Sequence, residues 1–372
     1  MILGSMAPRR RWLLLGLTAL AAVALIAAAT VVITRLTGDS KPSGAPATGS
    51  PTLSPAGTPT PSPSGPPPGA GITGPLNLLL VGVDTRVSVP GWEPHADAVL
   101  VLHVPQGLGQ AYLFSLPRDL LVDIPAFPKA DYRGGKTKLT HAMSFGSRVP
   151  DKPKQPSTAQ GYELLRSTVS GYTGLRIDAG AVLTFNGFDR LVDALGGVDI
   201  YVDQRVESRH RQPNGKYRQT APGGYTGPQQ VYEKGNQHLN GWQALDYARQ
   251  RYITGGDYAR QRHQQQLVRA LTRKILDEGL ARQPERVDQV VAALGDTLVY
   301  AGGPRIVDFA YALGGVPANR FTLVGLPGSG VGKGSAYRGE QLTSVGRKFI
   351  GELRAGRADA YLAANPSLVV KN

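Results

Sequence analysis

Four short stretches of this chain carry the residue types that handle phosphate. Asp84 directly follows the apolar run Leu76–Val83 ("LNLLLVGV"), and Asp97 directly precedes a second run, Ala98–Val104 ("AVLVLHV"). Arg118 follows a third run, Ala111–Ser115, in "LFSLPRD". Two carboxylates with no Cys or His partners suit a hard cation such as Mg2+, with Mn2+ as the alternative, which is often shared with substrate phosphates. The guanidinium adds a planar fork that matches a phosphate edge. Taken singly, each Asp is also an ordinary loop cap. The fourth stretch repeats itself: residues 246–251 and 257–262 both read DYARQR.

The two copies are not equivalent in geometry. "LNGWQALDYA" places Asn240 as an N-cap before Trp242, Leu245 and Ala248 at helical spacing. The break at Thr254-Gly255-Gly256 requires that helix to end nearby. If the chain straightens after Ala248, Arg249 and Arg251 fall on one side, as residues i and i+2 of an extended segment do. Asp257 then opens a second helix in which Arg260, Gln264, Leu267 and Leu271 form one stripe, bordered by His263, with Arg262 turned to solvent. Arg249, Arg251, Arg260 and Gln264 can therefore converge. Several guanidiniums in one cleft repel each other unless an anion holds them; a solvated basic face is the alternative.

The elements that must position these groups read as alternating strands and helices. After the three apolar strands come a helix near 160–172, a strand near 177–185, a helix near 186–195 and the strand Val198–Val202. A long basic loop spans about 203–236. Past the two DYARQR helices lie helices near 286–298 and 304–313, the strand "FTLVGLP" and a last helix near 340–355. This order predicts a three-layer α/β/α sandwich around a mixed central sheet, with ligands at the strand tips.

Composition sets the surroundings. The 372 residues carry a net charge of +14, and residues 201–274 hold thirteen Lys or Arg against five Asp or Glu, which points to an anionic partner. There is no cysteine, so disulfides, thiolate metal sites and cysteine nucleophiles are excluded. Arg9-Arg10-Arg11 precedes 23 uncharged residues, Trp12–Thr34. That length spans a bilayer, and the arginines hold the N-terminus inside. A signal peptide cleaved near Ala27-Ala28-Ala29 is the competing reading, although the apolar core is long for one. Ten prolines among residues 41–70, mixed with Ser, Thr and Gly, make an extended spacer.

The expected organisation is a cytoplasmic tail (1–11), a single-pass transmembrane anchor (12–34), a disordered linker (35–74) and an extracytoplasmic catalytic domain (75–365). Such a domain does not meet nucleic acid. "PGSGVGKGS" (327–335) imitates a P-loop but has Pro327 and Gly334 where the pattern needs Gly and Ser/Thr, so a mobile Gly-rich loop is the expectation. The six histidines show no zinc-ligand spacing.

The segments "NLLLVGVDTR", "ADAVLVLHV", "LFSLPRDLLVDIP", "KLTHAMSFG", "FNGFDRLVDALGGVDIYVD" and "HLNGWQALDYARQR…DYARQRHQQQ" resemble, in this order, the LytR–CpsA–Psr family. The resemblance covers about residues 76–276. It implies a membrane-anchored enzyme of a Gram-positive-type envelope that moves a glycan phosphate from a polyprenyl-pyrophosphate carrier to peptidoglycan. The glycan would be a polymer such as teichoic acid or arabinogalactan. It further implies that Asp84 and Asp97 hold magnesium and that Arg118, Arg249 and Arg251 bind the pyrophosphate. Lys138, Arg260 and Gln264 match further binding positions, and Asp97 or Asp84 would take the acceptor's proton. Arg86 and Asp119 are as readily structural as catalytic.

Three departures bear on substrate and pH optimum. His95 and His263 stand where the family often has arginine, and Thr140-His141 stand where Asn-Ala is frequent. Histidine can hydrogen-bond phosphate but loses its charge near neutral pH. Two other functions fit the same residues: a polyprenyl-pyrophosphate pyrophosphatase, or a non-catalytic receptor or regulator of anionic glycan or lipid. The residues do not set the oligomeric state.

Overall fold

The computed structural model describes residues 69–84, 91–222, 224–250, 252–254, 283–304, 306–332 and 336–369, with individual positions between 259 and 280. The expectations for residues 12–34, for nearly all of the linker, and for Arg86, Arg251, Asp257, Arg260, Arg262 and Gln264 fall outside the described residues, and Asp84 is described by its backbone alone.

The first part of the chain folds as β1 (Leu76–Asp84), β2 (His95–Val104), β3 (Ala111–Leu116), β4 (Leu121–Ile124), β5 (Gly135–Lys138), α1 (Thr140–Ser147), α2 (Thr158–Thr173), β6 (Ala179–Thr184), α3 (Phe185–Ala194) and β7 (Val198–Val202). Next come the short strands β8 (Val206–Glu207), β9 (Gln219–Ala221), β10 (Gly224–Thr226) and β11 (Val231–Tyr232), then β12 (Gly235–Leu239) and α4 (Gly241–Arg249). The described positions from 259 to 275 are helical. The remainder holds α5 (Pro284–Leu294), β13 (Leu298–Gly302), α6 (Ile306–Leu313), β14 (Phe321–Val324), β15 (Gly328–Val331), β16 (Gly339–Leu342), α7 (Ser344–Arg354) and α8 (Ala358–Ala364).

Six strands make one mixed sheet in the order β13-β6-β1-β2-β3-β14. The β1–β6 and β3–β14 pairs are parallel and the others antiparallel. Residues of both parities in β1 are apolar because both faces of the sheet are covered. Leu78 and Leu80 join one core with α3, α4, α5 and α6, while Leu79, Val81 and Val83 join a second core with α1, α2, α7 and α8. The fold is thus mixed α/β with a central mixed sheet and a helical layer against each face.

Several expectations need correction. The second strand starts at His95, so Asp97 lies inside it instead of ahead of it. The 203–236 stretch is not one loop: β8 pairs with β11, β9 with β10, and β12 with β7. Residues 339–342 are a strand ahead of the last helices. Gly328–Val331 pairs antiparallel with β16, so the first part of that Gly-rich run is a strand, while residues 333–335 lie outside the described residues. No helix among the described residues is long and apolar enough to cross a membrane.

Candidate functional site

One edge of the sheet gathers the groups singled out above. Val83 pairs with Thr184, Asp84 with His95, and Val99 with Leu116, so the carboxyl ends of β1, β6 and β3 lie side by side with the start of β2 between them. Edges of this kind are where open α/β sheets bind ligands.

Asp97 reaches this edge through a fault in the ladder. The pairing runs Gly82↔Ala98 and then Val83↔Ala96, leaving Asp97 as an extra residue in β2. The parity of the strand shifts there: Ala96 and Val99, three apart, face the same core. An unbulged strand would point Asp97 the same way as Val99 and Val101, into apolar packing where an unpaired carboxylate costs several kcal/mol, on the order of the burial penalty for an ion. In the bulge the carboxylate instead accepts a hydrogen bond from the Arg118 guanidinium. Bulges near active sites commonly re-aim a side chain in this way.

Arg118 sits in a turn fastened from two sides. Leu120 N–H donates to the Pro117 carbonyl at 3.0 Å, and Thr140 N–H donates to the Arg118 carbonyl at 2.9 Å, joining the turn to the start of α1. Glu340 N–H donates to the Asp119 carbonyl at 2.7 Å, which docks β16 on the same turn. Asp119 is the hub: its carboxylate lies 3.7 Å from Arg118 Nε and 3.3 Å from Lys138 Nζ, and it accepts from the Tyr337 hydroxyl at 3.3 Å. The Lys138 ammonium also lies 5.1 Å from the centre of the Tyr337 ring.

The side chains of this cluster are 24 to 37 % exposed. Ion pairs that open contribute at most about 1 kcal/mol to stability. They hold guanidinium and ammonium in place while leaving room for an anionic ligand to displace the carboxylates. His141 adjoins the cluster, with Nδ1 2.9 Å from Thr137 Oγ1 and its ring edge-on to His95 at 6.2 Å. Burial, then the positive neighbours His95, Lys138 and Arg118, push its pKa down against the pull of Asp119. His95 donates from Nδ1 to the Glu93 carbonyl at 2.9 Å.

The arginine of the fourth stretch arrives from the other core. A capping box starts α4: Asn240 Oδ1 accepts from Gln243 N–H, and Gln243 Oε1 accepts from Asn240 N–H, both at 3.1 Å. Gly241 is required by close approach, since a Cβ there would lie 2.1 Å from the Asp189 carbonyl oxygen on α3. The helix ends one residue later than expected, with Gln250 the first extended residue. Arg249 is exposed, its guanidinium 5.1 Å from the centre of the Phe185 ring directly after β6. Among the described residues no hydrogen bond or ion pair joins Arg249 to the Arg118 cluster. The structure therefore brings Asp97, Arg118 and Lys138 together through Asp119, and places Arg249 at the neighbouring strand end.

Below Arg249 lies a polar network that the sequence did not disclose. Asp246 is buried and accepts from Ser208 at 3.0 Å, Tyr232 at 2.9 Å and Gln250 at 2.8 Å. Burial raises its pKa, opposed by the Ser208 and Tyr232 hydrogen bonds. Asp189, one helical turn beyond Phe185, is pushed up to about 6, first by burial, with Arg211 and Arg249 opposing. The Phe185–Asp189 spacing of four was the available signal for a shared helix face.

His263 corrects an expectation. It is fully buried, stacked on Tyr247 at 4.2 Å and bonded through Nε2 to Asp203 at 3.1 Å, so it is a core residue and not a phosphate contact. A cavity of about 580 Å3 lies beside β7, lined by apolar and charged residues including Asp199, Ile200, Tyr201, Ala270, Arg273 and Lys274.

The sequence profile of the LytR_cpsA_psr family matches residues 59–343. The chain is 24% identical over 294 residues to the cell wall biosynthesis protein LcpA of Corynebacterium glutamicum, covering 73% of this chain and 53% of that protein. It is 28% identical over 225 residues to the polyisoprenyl-teichoic acid–peptidoglycan teichoic acid transferase TagU of Enterococcus faecalis, covering 60% of each. Biofilm regulatory protein A of Streptococcus mutans is 28% identical over 207 residues, 54% of this chain and 44% of that one. The chain thus spans about half the length of the curated relatives it matches. Among solved structures, protein gbs0355 of Streptococcus agalactiae shares the fold with a TM-score of 0.55 at 21% identity, over 76% of this chain and 88% of that one.

Proposed function

The chain belongs to the LytR–CpsA–Psr family, and from that premise we propose that it is a phosphotransferase that attaches an anionic cell-wall glycopolymer to peptidoglycan. The donor is a glycan carried on polyprenyl pyrophosphate, and the product is a phosphodiester. The observation that carries this reading is the Asp97–Arg118–Asp119–Lys138 chain at the strand tips, a row of fixed cations whose counter-charges a pyrophosphate can replace.

In this reading the acceptor sugar hydroxyl attacks the phosphorus next to the glycan. The new P–O bond forms as the bond to polyprenyl phosphate breaks, and the hydroxyl proton passes to a site carboxylate, Asp84 or Asp97. Arg118 and Lys138, with Arg249, Arg251, Arg260 and Gln264, bind pyrophosphate oxygens and offset the charge that builds on them, so catalysis rests on positioning and electrostatics. Asp84 and Asp97, carboxylates of the paired strands β1 and β2, suit Mg2+, which takes one or two carboxylates together with substrate phosphates. Bound there, the ion would neutralise phosphate charge. Residues 12–34 would anchor the domain outside the membrane on the 35–74 spacer.

The test uses the full chain in detergent with a radiolabelled glycan-pyrophosphoryl-polyprenyl donor, peptidoglycan and Mg2+. Label entering peptidoglycan, and lost with chelator and in Asp97→Ala, is the expected result. Free labelled glycan phosphate would replace the transferase by a pyrophosphatase. Binding without turnover of several glycan types would leave a receptor.

A further inference from the structure

The stretch between β7 and β12 folds into a lobe whose arginines are used in two ways. Arg205 is neutralised by Glu207 and Glu233. Among the described residues neither Arg209 nor Arg211 makes an ion pair; both lie on tyrosine rings, and Arg211 also donates from its guanidinium to the Gly215 carbonyl at 2.7 Å and bears electrostatically on Asp189 and Asp246. The Arg209 guanidinium is 3.9 Å from the centre of the Tyr252 ring and 5.8 Å from that of Tyr225, and Arg211 is 3.8 Å from that of Tyr217. Tyr252 and Tyr217 are 58% and 66% exposed. Stacked in this way, the Arg209 guanidinium keeps its N–H edge for a bidentate anion and Arg211 keeps the nitrogens not bonded to Gly215, and an exposed ring face packs against the C–H face of a sugar.

This surface is tied to the candidate site by its backbone. Arg209 N–H donates to Gln250 Oε1 at 3.0 Å, and Gln250 is the residue between Arg249 and Arg251. Arg211 N–H donates to Ser208 Oγ at 2.9 Å, and Ser208 is bonded to buried Asp246. Arg218 braces the lobe from behind through the carbonyls of Arg209 and Tyr225, at 3.0 and 3.1 Å. The lobe is therefore pre-organised against the same helix end that carries Arg249, which lowers the ordering cost of binding.

We propose that Arg209 with Tyr252 and Tyr225, continued by Arg211 with Tyr217, forms a subsite for the anionic repeat units of the donor glycan beyond its pyrophosphate. The proposal rests on the transferase reading for the identity of the ligand, though not for the existence of the subsite. Cations and rings alternate along it, with Tyr217 and Tyr252 exposed, a pattern that suits a chain of charged sugars or polyol phosphates. It adjoins the end of α4, next to the residue that follows Arg249.

The experiment is calorimetric binding to the full chain, without turnover, of a poly(glycerol phosphate) chain, an uncharged dextran of equal length and a peptidoglycan glycan fragment. Arg209→Ala and Tyr252→Ala each weaken poly(glycerol phosphate) binding by about tenfold, the scale of one desolvated stacked or bidentate contact, while Tyr252→Phe binds as the wild type does. Transfer from a donor bearing a single sugar is unchanged in these variants, and transfer from a long anionic donor slows. Equal loss for dextran, loss confined to the peptidoglycan fragment, or unchanged poly(glycerol phosphate) binding in both alanine variants overturns the proposal. Failure of transfer with every donor, beside the expected binding pattern, removes the catalytic reading and leaves the subsite standing.

Discussion

The two ends of the candidate site are built by opposite means. Around Arg118 the functional cations are held by carboxylates that are themselves partly open to solvent, in Asp97 and Asp119. Around Arg249 the exposed guanidinium stands on a buried network, in which Ser208, Tyr232 and Gln250 all donate to Asp246. The first arrangement is cheap to rearrange, because open ion pairs contribute little. The second is costly to disturb, because each donor stranded in the interior costs about 1–3 kcal/mol. In the proposed reading, one end exchanges its counter-ions for the ligand, while the other holds its arginine on a fixed support.

Two substitutions test that contrast at its strongest. Arg118→Ala is expected to lower kcat/KM for glycan transfer by about a thousandfold, near 4 kcal/mol, as for loss of a main charge-stabilising donor. Its melting temperature should move by only a degree or two. Asp246→Ala should show the reverse emphasis: a stability loss of about 3 kcal/mol, hence a Tm lower by roughly 5 °C for a domain of this size. Steady-state transfer assays paired with calorimetric melts read both. Equal Tm losses in the two variants would erase the distinction.

The contrast also explains what could be read from residues alone. Strand tips are legible because an apolar run ends abruptly in a charge, and Asp97 and Arg118 do meet at one edge, whereas Lys138 is singled out only by the family resemblance. The bulge was not legible: an extra residue leaves no mark in "HADAVLVLHV" until the partner strand's register is known. Tyr337 was hidden for a similar reason, since only the β16 contact with the Asp119 turn brings it to Lys138. Asp246 was read as part of a basic repeat, yet its burial depends on Ser208 and Tyr232, 38 and 14 residues away. The same nonlocal packing turned His263 from a candidate ligand into a core side chain.

A smaller effect separates the ends by pH. Burial raises the Asp189 pKa from an ordinary 3.8 to about 6. The folded state therefore holds its proton more tightly than the unfolded chain does. The stabilising contribution is complete below about pH 4 and is lost as pH rises through 6. The two-unit difference corresponds to at most about 3 kcal/mol. Asp189→Asn should flatten that slope and raise Tm at pH 7.5 relative to the wild type, with denaturant melts at pH 4, 5, 6 and 7.5 as the measurement. A wild-type slope retained in the variant would assign the pH dependence to another group.

The smallest effect sharpens the account of the open end. Tyr337 acts there twice, by its hydroxyl on Asp119 and by its ring beneath Lys138. Tyr337→Phe removes the first contact and keeps the second; Tyr337→Leu removes both. Exposed contacts of each kind contribute about 0.5–1 kcal/mol, so Phe should raise KM about two- to fivefold and Leu about five- to thirtyfold, with kcat nearly unchanged in both. The ordering matters more than either value. If the open end works by letting phosphate displace Asp119, freeing that carboxylate from Tyr337 strengthens its hold on Lys138 and makes displacement harder, which registers in KM. If the effect of Phe falls on kcat instead, Asp119 stays engaged through the reaction, and the row of cations is held as rigidly as the buried end.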